Sequence, residues 1–194
     1  MKGNRKLRAA GALGLACLFS LPAGVPAGES LIGLFTDESA DVCGADAPAY
    51  ITRSVYVIAV LDNSISGVTA AEFRIDKLPA AGGGLMSSQW ESSLILGDMA
   101  NGIAIAFTSP QTGSEILLGR VDFMPFGDGW LVDDHRLLVK ESLDSGSLTL
   151  VDEDFEAQTA RGGRFTFNCS STEACACGIG SAETATWGEV KSLY

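Results

Sequence analysis

The chain is dominated by hydrophobic and polar residues that alternate with a period of two. In AEFRID (71–76) the apolar residues Ala71, Phe73 and Ile75 share one side, and charged residues occupy the other. This alternation is typical of a half-buried β-strand. Eight segments predict strands: LIGLFT (31–36), VYVIAVL (55–61), AEFRID (71–76), GIAIAFT (102–108), LLGRVDF (117–123), RLLVKE (136–141), SLTLVD (147–152) and RFTFN (164–168).

Turn signals separate these segments at intervals of about 8–12 residues, and no long helical period interrupts them. Gly127-Asp128-Gly129 and Asp144-Ser145-Gly146 are two such signals. The sequence therefore predicts an all-β protein, an antiparallel β-sandwich of about nine strands. VYVIAVL is apolar on both sides, as expected for a central strand. In LLGRVDF we expect Leu117, Val121 and Phe123 to share one face, with Leu118, Arg120 and Asp122 on the other.

Three segments, in their order, carry a resemblance: VYVIAVLDNSISGVTAAEFRID (55–76), GIAIAFTS (102–109) and EILLGRVDF (115–123). Together they resemble the cohesin-type sandwich and its carbohydrate-binding-module relatives, over roughly residues 31–168. The resemblance implies one of two uses of the fold. In cohesins a flat strand face recognises a partner module, whereas in binding modules exposed aromatic side chains line up under a sugar chain. No site residue is carried over from either family.

The N-terminus has the pattern of a secretory signal peptide. MKGNRKLR carries four positive charges and no acid, thirteen mainly apolar residues follow, and Val25-Pro26-Ala27 suits a cleavage site. We expect cleavage after Ala27 and a location outside the cell, secreted or at the cell surface. The alternative is a lipoprotein modified at Cys17. No segment reaches the roughly 20 apolar residues of a transmembrane helix, so none is predicted.

Removal of residues 1–27 leaves 9 basic and 24 acidic residues, a formal charge of 9 − 24 = −15. Such a surface repels nucleic acid and anionic lipid and favours cations or basic partners. The plain alternative is that the charge only keeps an extracellular protein soluble.

Four cysteines remain after cleavage: Cys43, Cys169, Cys175 and Cys177. Their spacing does not match the C-x₂₋₄-C pairs of zinc or iron–sulfur sites, and no histidine lies near them. An even number of cysteines in an exported protein indicates two disulfides. A Cys175–Cys177 bridge would close a cramped ring, so we expect Cys43 to pair with Cys175 or Cys177, and Cys169 with the other.

The segment after the cysteines predicts a short helix. Thr186-x-x-Glu189 fits a capping box, and Trp187, Val190 and Tyr194 fall at helical spacing. About eight residues are too few for a stable isolated helix. This tail therefore either docks on the sandwich or is read by another protein as a sorting or attachment signal.

Candidate ligand-binding residues are few. Tyr50, Trp90 and Trp130 lie in or next to predicted loops, where they stack on a glycan or close the ends of the core. Asp37, Glu38 and Asp41 in TDESAD form the best candidate calcium site, with a solvated acidic loop as the alternative. No other cofactor is indicated.

Enzymatic activity is not expected. The one histidine, His135, lies beside two aspartates in a predicted turn, and no G-x-S-x-G motif is present. The carboxylates of VDEDFE (151–156) indicate little in a chain this acidic. We expect a signal peptide (1–27), a sandwich domain (28–168) and a cysteine-containing tail (169–194). The predicted function is a non-enzymatic structural or protein-interaction module outside the cell. The alternative is a carbohydrate-binding module, so the partner is a protein or a polysaccharide.

Overall fold

The computed structural model describes residues 29–172 and 174–177, and this part of the chain consists of strands, turns and loops without a helix. The strands are β1 (Leu31–Phe35), β2 (Gly44–Ala45), β3 (Arg53–Val60), β4 (Gly67–Asp76), β5 (Gly84–Trp90), β6 (Leu94–Asp98), β7 (Gly102–Thr112), β8 (Glu115–Pro125), β9 (His135–Lys140), β10 (Thr149–Asp152), β11 (Ala157–Thr159), β12 (Arg161–Gly162) and β13 (Arg164–Phe167).

Two sheets pack face to face. The smaller sheet has the order β12-β1-β3-β8-β5, and the larger has the order β11-β10-β4-β9-β13-β2, with β7 paired to β4 and β6 paired to β7. All pairings are antiparallel except the short parallel ones of β1 with β12 and of β13 with β2. The predicted all-β sandwich is confirmed.

The core lies between the sheets because one face of each long strand is apolar. In β4, Ala71, Phe73 and Ile75 are buried, as the alternation predicts. Phe123 from the smaller sheet meets Phe167 from the larger one, with ring centroids 5.2 Å apart in an edge-to-face arrangement.

The predicted faces of β8 are wrong in its first half. Leu118 is fully buried in the core, whereas Leu117 packs on the outer face of the smaller sheet. The cause is a β-bulge: Val57 pairs with Gly119 and Ile58 with Leu117, which leaves Leu118 as an extra residue. One extra residue shifts the alternation by one position.

Neither β5 nor β6 is predicted from the sequence. Most residues of both strands are exposed, so no buried face marks them in the sequence. Among the described residues, no helix is long and apolar enough to cross a membrane.

Candidate interaction surface

A row of five apolar side chains crosses the outer face of the larger sheet. Leu94 pairs with Ala106, Ala106 with Ala70, Ala70 with Val151, and Val151 with Ala157. Residues directly opposite each other project from the same face, so all five point to solvent together. Five strands spaced about 4.8 Å apart give this apolar row a length of about 19 Å.

In the next row of the same face, two of the five side chains are apolar. Leu96 pairs with Ala104, Ala104 with Glu72, Glu72 with Thr149, and Thr149 with Thr159. Leu94 and Leu96 on β6 are 58% and 68% exposed. The alanines of β7 carry only methyl groups, so the two leucines project further from the sheet than their neighbours on β7.

Carboxylates border these rows. Glu72 lies within the second row, and Asp98 ends β6. The side chain and backbone N–H of Asn101 donate to Asp98 and lower its pKa. Glu153 follows β10, and the hydroxyl of Ser66 lowers its pKa in the same way. Both groups are therefore ionised at neutral pH.

Two basic residues on this face, Arg74 and Lys140, are paired with a carboxylate. Arg74 Nη1 lies 2.9 Å from Asp76 Oδ1, and Lys140 Nζ lies 3.7 Å from Asp76 Oδ2. Both pairs lie beyond the second row, at the far end of β4. Arg74 and Lys140 are therefore held at Asp76, and the charges closest to the apolar row are carboxylates.

The structure does not bring the two candidate tryptophans together. Trp90 ends β5, and its ring meets the core residue Phe73 edge to face at 5.9 Å. A Cβ on Gly119 would lie 2.3 Å from the Trp90 ring, so only glycine leaves room for this indole.

Trp130 packs at the other end of β5. Its ring covers Gly83 and Gly84, lies 6.4 Å from the ring of Phe123, and donates its indole N–H to the carbonyl of Ala80. Both indoles are half-buried against the core. Both tryptophans thus pack against the core from the two ends of β5, and a role in sugar binding stays a prediction.

Tyr50 is the most exposed of the three candidate aromatic residues, at 71%. Its φ of 62° is held by the backbone, because its N–H donates to the carbonyl of Pro125 at 2.7 Å. It lies near a cavity of about 620 Å³ lined in part by Pro48, Pro125 and Asp128.

In the predicted calcium loop, Asp37 accepts hydrogen bonds from within the loop itself. Asp37 Oδ1 accepts hydrogen bonds from the backbone N–H and hydroxyl of Ser39. Within 29–172 and 174–177, no group of three or more His, Cys, Asp or Glu side chains could hold a metal ion. The calcium site at Asp37, Glu38 and Asp41 stays a prediction.

His135 begins β9 and does not lie in a turn as expected. Its Nε2 lies 2.9 Å from the carbonyl oxygen of Lys77. Asp152 in VDEDFE accepts hydrogen bonds from Gln158 Nε2 and from the N–H groups of Asp154 and Glu156, which lowers its pKa. His135 and Asp152 therefore form hydrogen bonds that stabilise a strand end and a turn.

The four cysteines form two disulfides, Cys43–Cys177 and Cys169–Cys175. This is one of the two pairings left open by the sequence. The bridges lie side by side around Gly44, where a Cβ would come within 2.6 Å of Cys175 Sγ. Two predictions lie outside the described residues: the signal peptide (1–27), and tail docking by Trp187, Val190 and Tyr194.

The apolar row was missed by the sequence analysis. Its alanines occupy outward positions of β4, β7 and β11, and small residues at such positions do not mark a binding surface in the sequence. The only available signal was LIL (94–96), which places two leucines on one side of a segment with no assigned strand.

No family model matches the sequence, and no curated protein matches it. Several solved structures are similar in fold. A cohesin module from a Clostridium perfringens family 33 glycoside hydrolase is 9% identical, with 73% of this chain and 98% of that one covered and a TM-score of 0.46. The sixth cohesin of Acetivibrio cellulolyticus scaffoldin B, solved in complex with a dockerin, is 13% identical, with coverages of 73% and 99% and a TM-score of 0.46.

A non-cellulosomal cohesin from Archaeoglobus fulgidus is 12% identical, with coverages of 72% and 91% and a TM-score of 0.37. At these identities the likeness is one of fold alone. The resemblance predicted from the sequence is thus matched by solved structures of cohesin modules over 72–73% of this chain.

Proposed function

We propose that this protein is a non-enzymatic protein-interaction module of the cell exterior, and that its partner packs on the apolar row. The observation that carries the proposal is the continuous line of Leu94, Ala106, Ala70, Val151 and Ala157 across five strands. The partner is a protein segment whose apolar side chains are flanked by Lys or Arg, because carboxylates border the row.

The size of the face fits the centre of an interface. A specific interface buries about 800 Å² per partner, with an apolar centre and a polar rim. Full burial of a leucine is worth about 1.5–3 kcal/mol, and Leu94 and Leu96 still expose more than half of their surface. The two leucines are thus the residues with most to gain from a partner.

The exterior location rests on cysteine chemistry and on the N-terminus. Disulfides persist in oxidising compartments, and both bridges are formed in this fold. The signal-peptide pattern of residues 1–27 gives a route of export, with a mature chain that begins at Gly28. The described sandwich and the tail from Cys169 then form one disulfide-linked unit outside the cell.

The test compares charge substitutions on the two sheets. Leu94→Asp combined with Leu96→Asp disrupts the proposed face, and Leu85→Asp on β5 is the matched control, since Leu85 is 56% exposed on the other sheet. Wild-type protein is cross-linked to material from the cell exterior, the partner is identified by mass spectrometry, and the affinity of the purified pair is measured for each variant.

We expect the double variant to weaken binding at least 100-fold and the control to change it less than 3-fold. Higher salt should weaken the wild-type pair, because surface charges are screened. A partner indifferent to Leu94 and Leu96 would refute the assignment of the face. Self-association through the same leucines, seen as a dimer in sedimentation, would replace the heterologous partner with a second copy.

The alternative function is carbohydrate binding at the end of the sandwich that carries Tyr50 and Trp130. The exposed ring of Tyr50 favours it, since stacking on a sugar requires a free aromatic face. Retention on insoluble polysaccharide that is lost in Tyr50→Ala, with unchanged stability, would establish this function. If neither the wild-type protein nor Tyr50→Ala is retained on polysaccharide, the apolar row remains the proposed binding surface.

A further inference from the structure

The free edge of β5 differs from the other sheet edges of the sandwich. β11, β12 and β2 end their sheets with three, two and two residues, and β6 has five residues that include Asp98 and Gly97, whose φ is 79°. Very short strands, charges and irregular backbone are the usual means of blocking an edge. β5 has seven residues and pairs with β8 without a bulge. It is the longest edge strand among those that the structure describes.

Hydrogen bonds to β8 fix which way the backbone of β5 faces. The N–H of Glu91 donates to the carbonyl of Leu118 at 3.0 Å, one step beyond Trp90. In an antiparallel ladder this bond flanks a pair that is not hydrogen-bonded, so the N–H and C=O of Trp90 point away from β8. The direction alternates along a strand, so the backbone groups of Met86 and Ser88 point away from β8 as well.

Met86 and Ser88 therefore present free hydrogen-bonding groups at the edge. Their backbone N–H and C=O have no partner among the residues that the structure describes, and all five residues from 85 to 89 are exposed. Such groups bond to water or to another strand. A strand placed beside β5 thus meets donors and acceptors at alternate residues, which is the pattern of recognition by strand addition.

The same edge carries no charge in a strongly acidic protein. Residues 78–90 contain no Asp, Glu, Lys or Arg, whereas the chain after residue 27 has a formal charge of 9 − 24 = −15. Two copies of such a chain repel each other over most of their surface, so a contact between them requires a region without acids. The β5 edge is such a region, and an antiparallel strand is complementary to a second copy of itself.

We propose that two copies of this protein pair through β5, antiparallel and related by a two-fold axis at Ser87. Met86 of each copy then exchanges hydrogen bonds with Ser88 of the other. This register pairs all seven residues of the strand, because Gly84 lies opposite Trp90. The two smaller sheets join into one continuous sheet across the contact.

This register also keeps the acids apart. Glu91, which directly follows β5, lies at opposite ends of the paired strands in the two copies, about 27 Å apart and beyond the ~8 Å Debye length of physiological salt. Leu85 is 56% exposed and gains cover from Gln89 of the other copy. One pair of strands buries less than the roughly 1,200 Å² of a small specific interface, so we expect a reversible dimer with a dissociation constant in the micromolar range.

Sedimentation equilibrium of the oxidised protein, over a concentration series from micromolar to submillimolar, tests the proposal. We expect a monomer–dimer equilibrium that becomes at least 3-fold tighter between about 50 mM and about 300 mM salt, because screening weakens the repulsion between two acidic copies. The partner of the apolar row is expected to bind more weakly at higher salt, so the two contacts respond in opposite directions.

Two variants locate the contact on β5. Ser88→Pro removes an N–H that faces the free edge and leaves the bonds to β8 in place, and Ser88→Ala is the matched control that keeps this N–H. Ser87→Lys places two lysines directly opposite each other at the axis, and it tests the contact even if Ser88→Pro does not fold. We expect Ser88→Pro and Ser87→Lys to weaken the dimer at least 10-fold and Ser88→Ala to change it less than 2-fold, with thermal melts checking the fold of each.

This inference is independent of the proposed function, because β5 and the apolar row belong to different sheets. The double variant Leu94→Asp with Leu96→Asp should therefore keep the dimer. A protein that stays monomeric at every concentration and salt overturns the proposal. A dimer that survives both Ser88→Pro and Ser87→Lys also overturns it, and its loss in the double leucine variant would then place the contact on the apolar row.

Discussion

The two disulfides should stabilise the fold by different amounts, although they lie side by side. Cys43–Cys177 joins residues 134 apart in the sequence, and Cys169–Cys175 joins residues 6 apart. The perturbation is to remove each bridge separately, as Cys43→Ala with Cys177→Ala and as Cys169→Ala with Cys175→Ala. Removal of both partners leaves no free thiol for exchange.

The magnitude follows from the loop that each bridge closes in the unfolded chain. In the chain-entropy model the long loop is worth about 5 kcal/mol and the short one about 2.4 kcal/mol at 25 °C. The variant without Cys43–Cys177 should therefore be less stable by about 2–3 kcal/mol than the one without Cys169–Cys175.

The assay is urea unfolding of the oxidised proteins, with the free energy of unfolding extrapolated to water for each. Slopes of about 1–3 kcal/mol/M turn this difference into a midpoint shift of about 0.7–3 M. The slope should also be steeper without the long bridge, because the unfolded chain then exposes more surface. Equal losses, or a larger loss without Cys169–Cys175, would refute the loop-closure reasoning and indicate that local packing dominates.

Three further outcomes are expected. Leu118→Ala should lower the free energy of unfolding by about 2–5 kcal/mol and Leu117→Ala by less than half of that, since the bulge places only Leu118 in the core; urea unfolding checks this. Asp134 accepts hydrogen bonds from the Ser170 hydroxyl and N–H, which lower its pKa, so its contribution is present above pH ~4 and lost as pH falls through the folded-state pKa. Wild-type protein should therefore lose more stability than Asp134→Asn between pH 4 and pH 2 in thermal melts. Trp130→Ala should cost about 2–3 kcal/mol, because it empties the space over two glycines and removes one hydrogen bond, and Trp130→Phe should recover part of that loss in the same assay.

Alternation revealed those strands that bury one face. β4 and β7 each carry three apolar residues at alternate positions, and each lies close to its predicted segment. β5 and β6 could not be found in this way, because edge strands with mostly exposed side chains lack a buried face. The order of faces in β8 failed for a different reason, since the bulge at Leu118 depends on the pairing with β3.

The cysteines show the same limit. Elimination of the cramped Cys175–Cys177 ring left two pairings, and both satisfy the sequence equally well. The choice depends on the path of a few residues after β13, where Ser170 is tied to Asp134. The apolar row was harder still to predict from the sequence, because its five residues come from five strands that four separate pairing registers bring into line.

The parallel pairs β1–β12 and β2–β13 have a consequence for the timing of folding. β2 pairs with β13, and one edge of β1 pairs with β12. The first strands of the domain therefore cannot complete their hydrogen bonding before the last strands are present. Such long-range pairing is slow to form. A chain that emerges from its N-terminus during synthesis cannot close this sandwich until nearly all of it has emerged. The unpaired strand edges stay exposed until then, and the Cys43–Cys177 bridge can form only at the end.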